Sequence, residues 1–229
     1  MSGTYLFGEP LEFVVSRRGE TSLTASGNAG LLLLAGSATF IVAVAICISR
    51  SSFLLDSHNL SQFGEHPATA LVFNGALILV GSFTLLAGWI LRDDRSGLIA
   101  ALCFLAGAGM IGAAVVHVGV DRHVHAVFAG LYYAGHLLLP LALSWSMRGA
   151  LRTSSYFAIG LSITFLLLWA FANPLLFDAI GQGGAQLLTT LPLVLWMIAF
   201  SGRRVMSRLG AGARGRSRSQ GLSAPGRPG

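Results

Sequence analysis

Lysine is absent from this chain: all fifteen basic residues are arginine. That bias reads as GC-rich coding rather than chemistry. Acids are scarce as well, nine Asp and Glu in all, so only 10% of the 229 residues carry charge. A soluble domain carries about 25%. Hydrophobic residues make up 54% of the chain, and mean hydropathy is +0.71. So much apolar surface cannot be hidden inside one soluble domain of this length. A water-soluble enzyme is thereby excluded, and so is disorder for most of the chain. There are only two cysteines, Cys47 and Cys103, and both sit in apolar runs. They do not make a disulfide framework. No phosphate loop, nucleophile elbow or metalloprotease helix is present. No catalytic residue, metal site or cofactor is therefore assigned.

The sequence does contain apolar runs long enough to cross a bilayer. A hydrocarbon core of roughly 30 Å takes about 20 helical residues, and six runs qualify: 29–48, 68–91, 97–120, 123–147, 155–177 and 184–201. Backbone groups in lipid have no water to bond, so such runs must be helical. The expected fold is all-α, an integral membrane bundle of six transmembrane helices. The first run begins only after 28 residues that include three Glu, and no small-residue cleavage site follows. It is read as a retained helix rather than a signal peptide.

Arginine placement predicts orientation. Thirteen of the fifteen arginines lie before the first run, after the second and fourth, or after the sixth. Only Arg50 and Arg122 fall on the other side. Positive residues stay cytoplasmic, so both termini are expected inside and the protein in the plasma membrane. Three parts follow: a cytoplasmic segment 1–28, a membrane domain 29–201 and a tail 202–229. The tail has seven arginines and no acid. Its composition predicts disorder. With no aromatic interleaving and no folded module, it is read as an anchor against anionic lipid rather than a nucleic-acid binder.

The connection between the third and fourth runs, essentially Asp121 and Arg122, makes those helices antiparallel neighbours. In the third run, Ala108 with Gly112 and Gly109 with Ala113 form small-xxx-small pairs that permit close packing.

Polar residues collect toward the outer end. At 1.5 Å per residue, Asn74 lies about 9 Å below it, His117 about 5 Å and Asn173 about 6 Å. Asp121 follows His117 by one turn, and the two are expected to share a helix face. His125 opens the fourth run, while Gln186, Thr189 and Thr190 crowd the start of the sixth. Polar groups in hydrocarbon usually face the bundle interior or a wet cavity. The convergent reading is a polar pocket opening outward. His136, about 20 Å down the fourth run, is expected to hydrogen-bond across helices. His117, Asp121, His123 and His125 carry suitable donors for zinc, but their spacing matches no known coordination signature. A hydrogen-bonded network is the preferred reading.

Two segments resemble a known family. Asn59-Leu60-Ser61-Gln62-Phe63-Gly64 with Leu71-Val72-Phe73-Asn74-Gly75-Ala76-Leu77-Ile78-Leu79-Val80-Gly81 resembles the first-loop and second-helix signature of the domain of unknown function 998 family. Gly109-Met110-Ile111-Gly112 with His125-Ala126-Val127-Phe128-Ala129 resembles its third-to-fourth helix signature. The resemblance implies a six-helix prokaryotic membrane protein with Ser61, Gly64, Asn74, Asp121 and His125 as the positions of interest. The chain departs at Gly119-Val120-Asp121-Arg122, where the family usually has Gly-x-Phe-Pro. It also looks distantly similar to Frag/DRAM/Sfk-type six-helix membrane proteins, which are linked to lipid handling.

The candidate ligand-binding set is Ser61, Asn74, His117, Asp121, His125 and Asn173. The expected function is non-enzymatic, with the outward pocket taking a lipid headgroup or a small polar ligand. The alternatives are an intramembrane metal-dependent hydrolase or lipid-modifying enzyme using His117, Asp121 and His125, and a small transporter. No inverted repeat supports the last. The expected partners are membrane lipid and a small polar ligand, with no nucleic acid. The sequence leaves the oligomeric state open.

Overall fold

A computed structural model describes residues 19–51, 59–92, 97–145, 147–171 and 174–221. Among these residues the chain is all-helical, with no strand. The helices are α1 (Gly19–Arg50), α2 (Ala70–Leu91), α3 (Gly97–Val115), α4 (Arg122–Ser144), α5 (Ala150–Ala170) and α6 (Pro174–Gly221). A short 3-10 helix, Leu60–Gly64, lies between α1 and α2. All six α-helices are long and apolar enough to cross a membrane.

Each helix packs on its neighbour in the chain, and α6 returns to α1, so the six close into a ring. The α4–α5 seam is the thinnest, and α5 is the least buried of the six. Consecutive helices alternate in direction. The start of α2, the end of α3 and the starts of α4 and α6 therefore meet at one end, beneath the 3-10 helix. The described arginines divide between the ends. Arg92, Arg148, Arg152, Arg203, Arg204 and Arg208 lie at the far end, whereas Arg50 and Arg122 lie at the 3-10 end.

Glycine sets the closeness of the α2–α3–α4 seams. A Cβ on Gly81 would stand 2.8 Å from the Gly107 carbonyl oxygen, and one on Gly109 would stand 2.5 Å from the Tyr132 nitrogen. Gly112 leaves room for the Phe128 ring. Of the small residues anticipated in α3, Gly109 and Gly112 face α4, while Gly107, outside the anticipated pairs, faces α2.

Several boundaries differ from the sequence reading. The third helix ends at Val115 rather than near residue 120. The fifth begins at Ala150 and ends at Ala170, earlier than expected at both ends. The sixth begins at Pro174, where proline's missing N–H costs nothing at a first helical position. It bends at Gly181, whose φ of 71° is a conformation that favours glycine. It then runs past Ser201 into the basic segment as far as Gly221, so helix does not stop at the expected start of a disordered tail. Arginine is a good helix former, and the first turns beyond Ser201 are held. Arg204 lies over the Phe200 ring at 5.2 Å, and Arg208 hydrogen-bonds Asn28.

The two cysteines are free and buried, Cys103 in the apolar cluster at the arginine end and Cys47 in the one at the 3-10 end.

Candidate functional site

The 3-10 helix is a roof, held by side chains from four directions. The Asn59 backbone N–H donates to Gln62 Oε1 at 2.9 Å, closing the first turn. The Leu60 N–H donates to Gln186 Oε1 of α6 at 2.7 Å. Trp169 of α5 donates its indole N–H to Asn59 Oδ1 at 3.3 Å. Asn74 of α2 donates from Nδ2 to the Gly64 carbonyl at 2.9 Å. The fit at Gly64 is close, since a Cβ there would stand 2.5 Å from Asn74 Oδ1. Behind it, the fully buried Thr69 donates its hydroxyl to the Phe63 carbonyl at 2.8 Å.

Beneath this roof lies a cavity of about 560 Å³, counting its open mouth. Its polar lining comprises Ser61, Asn74, His125, Tyr132, Tyr133, Gln186 and Thr190. Its apolar lining includes Phe40, Leu60, Phe73, Leu77 and Met110. Among the described residues no Asp, Glu or Arg borders it. The Thr190 hydroxyl donates to the Gln186 carbonyl at 3.2 Å, and Thr190 lines the cavity with Tyr132 and Tyr133. The site is amphipathic and formally uncharged.

His125 has a structural task as well. Its Nδ1 lies 3.1 Å from the Ala113 carbonyl and 2.9 Å from that of Val116. Both partners can only accept, so Nδ1 carries hydrogen and a neutral ring keeps Nε2 as an acceptor. The last carbonyls of a helix lack intrahelical partners. His125 supplies one from the first turn of the next helix and so pins the α3–α4 connection.

Of the sequence candidates, the structure brings Ser61, Asn74 and His125 to one cavity. Asn173 lies outside the described residues. His117 and Asp121 do not share a helix face, because α3 has ended and the chain turns, with the Val120 N–H bonded to the His117 carbonyl at 2.9 Å. Asp121 is the exposed N-cap of α4 and accepts from His123 at 2.9 Å and Val124 at 3.0 Å. The Val124 N–H chiefly, aided by the His123 N–H and charge, holds its carboxyl below the ordinary value against an opposing desolvation. His117 is half-buried and does not border the cavity, and its Nδ1 has no partner among the described residues. Also among the described residues, no group of three His, Cys, Asp or Glu is placed to hold a metal ion. Among the described residues His136 does not bond across helices as anticipated. Its buried Nδ1 has no partner there, and its ring packs 4.8 Å from that of Tyr132.

The candidate set omitted Tyr132, Tyr133, Gln186 and Thr190. The spacing of seven from His125 to Tyr132, and of four from Gln186 to Thr190, were available signals. Tyr133 had none, because its ring reads as apolar within an apolar run.

No curated protein and no solved structure matches the chain. A family model does match, described as protein of unknown function DUF998, over residues 33–203. That span runs from within α1, through the whole ring and the cavity, to the first arginines after the sixth span. The chain belongs to the DUF998 family.

Proposed function

We propose that this multi-pass membrane protein binds an amphiphile with an uncharged, hydrogen-bonding head in the cavity under the 3-10 helix. The observation that carries the reading is the lining itself. Among the described residues, hydroxyl, amide and imidazole groups share the lining with Phe, Leu and Met, and none of them carries a formal charge. Ligand sites are typically concave and largely apolar, with a few placed polar groups that fix orientation. A phosphate or carboxylate would find no cation among the described lining residues. A hydroxyl- or amide-bearing lipid head would find both donors and acceptors, with its chain lying along apolar surface. Ser61, Asn74 and His125 are the proposed contacts, joined by Tyr132, Tyr133, Gln186 and Thr190.

The cavity opens away from the cytoplasm in this reading, and both termini are cytoplasmic in the plasma membrane. Support comes from the gathering of arginines at the opposite end, since positive residues are retained inside. The metal-dependent alternative has no observation in its favour. Among the described residues no three His, Cys, Asp or Glu are placed to share an ion, and Asp121 spends its carboxylate capping α4.

Gentle purification followed by mass analysis of bound lipid tests the proposal. Wild-type protein should carry a stoichiometric neutral amphiphile that the doubly substituted Asn74→Leu, Thr190→Val protein loses. Equal retention by both proteins, or an anionic lipid as the bound species, rejects it.

A further inference from the structure

A second cavity, about 340 Å³ with its openings, lies deeper in the bundle than the first. Polar side chains from three helices face it: Ser37 of α1, Thr84 of α2 and His136 of α4. All three are buried, and His136 is only 7% exposed. Ser37 donates to the Leu33 carbonyl at 2.9 Å and Thr84 to the Val80 carbonyl at 2.8 Å, each bonding back along its own helix. Their oxygens keep lone pairs that can accept. His136 Nδ1 has no partner among the described residues. In addition, Pro140 lies four residues along α4, where it has no N–H to give the His136 carbonyl. An imidazole nitrogen left unpaired at this depth would be expensive. A buried water needs two to four polar partners, and this cavity supplies them.

We propose that this second cavity is a water site with His136 at its inner end, filled from the 3-10 end of the bundle. Water there lets the imidazole exchange protons with the compartment on the 3-10 side. The connection follows from shared walls. Phe40, Met110 and Tyr132 border both this cavity and the outer one, and methionine's unbranched chain moves readily. Toward the arginine end the deep cavity shares only Leu33 with a further cavity, lined also by Leu91, Cys103, Leu139, Leu143 and Arg204. Leu33 offers water no hydrogen-bond partner, whereas Tyr132 on the outer wall does. This inference stands on the deep cavity and does not require the amphiphile reading.

Hydrogen–deuterium exchange at histidine C2, read by mass spectrometry on delipidated full-length wild-type protein, tests access without any substitution. His136 should exchange no more than about tenfold slower than exposed His123. Failure of His136 to exchange while His123 does overturns the proposal. Direction is tested by plugging the outer cavity. Ser61→Cys, labelled with a bulky membrane-impermeant thiol reagent, should slow exchange at His136 by about tenfold or more. Native Cys47 and Cys103 are fully buried, so the label is confined to the new thiol. Unchanged exchange after complete labelling would mean that water arrives from the arginine end, and the proposal falls. If Ser61→Cys does not fold, the wild-type measurement still decides accessibility.

Discussion

Gly64 and Gly75 are eleven residues apart, yet the structure assigns them opposite tolerance. A Cβ at Gly64 meets the Asn74 amide at 2.5 Å, whereas one at Gly75 meets nothing within 4 Å. Gly64→Ala should push Asn74 aside, break its bond to the roof and cost about 1–3 kcal/mol as overpacking does. Gly75→Ala should be neutral or gain up to about 1 kcal/mol, because glycine inside a helix is disfavoured. Thermal unfolding in detergent should rank the two accordingly; a melting temperature for Gly64→Ala at or above that of Gly75→Ala would contradict the geometry. His125 calls for a similar comparison. His125→Leu leaves the Ala113 and Val116 carbonyls without the partner they now have, which costs about 1–3 kcal/mol for a buried group. A wild-type melting temperature in that variant would show that the bond carries no stability.

At the scale of elements, α3 is the stave on which two neighbours close, and glycine is present on both of its packed sides. At Gly109 the obstacle is α4 backbone, namely the Tyr132 nitrogen at 2.5 Å and the Phe128 oxygen at 2.8 Å. Backbone cannot rotate away as a side chain can. Gly109→Ala should therefore sit at the upper end of the roughly 1–3 kcal/mol overpacking range, while Gly130→Ala, with nothing nearby, should leave the melting temperature in place. Comparable losses at both positions would place the α3–α4 contact elsewhere. The cap at Asp121 makes a prediction about pH. Its carboxyl titrates below the ordinary value because the ionised form accepts two N–H bonds. Its stabilising contribution is thus present at neutral pH and is lost as pH falls through that lowered value. Asp121→Asn keeps an accepting oxygen but removes the charge. The wild-type advantage in melting temperature over Asp121→Asn should shrink on acidification; a pH-independent difference would rule out an ionised cap.

For the whole molecule, the separation of charge is the property with the largest consequence. Arg92 lies 3.4 Å over the exposed Trp89 ring, and Arg152 bonds the Tyr156 hydroxyl at 3.2 Å. With Arg203, Arg204 and Arg208 they mark one end as the charged interface, where amphipathic rings also prefer to lie. A carboxy-terminal reporter active only outside the cytoplasm should stay silent, and one active only inside should work. External activity would invert the bundle and turn the proposed cavity toward the cytoplasm.

How much of this was legible in the sequence differs from element to element. Six helices, their alternating directions and the arginine-rich end all follow from apolar run length and charge placement, because lipid offers a backbone no other hydrogen-bond partner. The ends were misplaced where a local cap or turn overrides hydropathy, as at Val115, Gly149 and Pro174. Run length cannot see that His125 will satisfy the last carbonyls of α3. Nor can spacing show that Tyr133 turns toward Gln186 and Thr190, since that depends on how α4 is rotated against α6. Asn74 and His125 were expected to meet because both are costly to leave in lipid, and they line one cavity. His117 and Asp121 were grouped by a helical spacing that the chain does not use there. The sequence by itself determined the number, direction and charged end of the helices, because solvation by lipid acts on each segment separately. Only the tertiary structure decided which polar side chains converge and that α6 closes the ring on α1. Convergence depends on the rotation and packing of whole helices against one another, and no single segment encodes it.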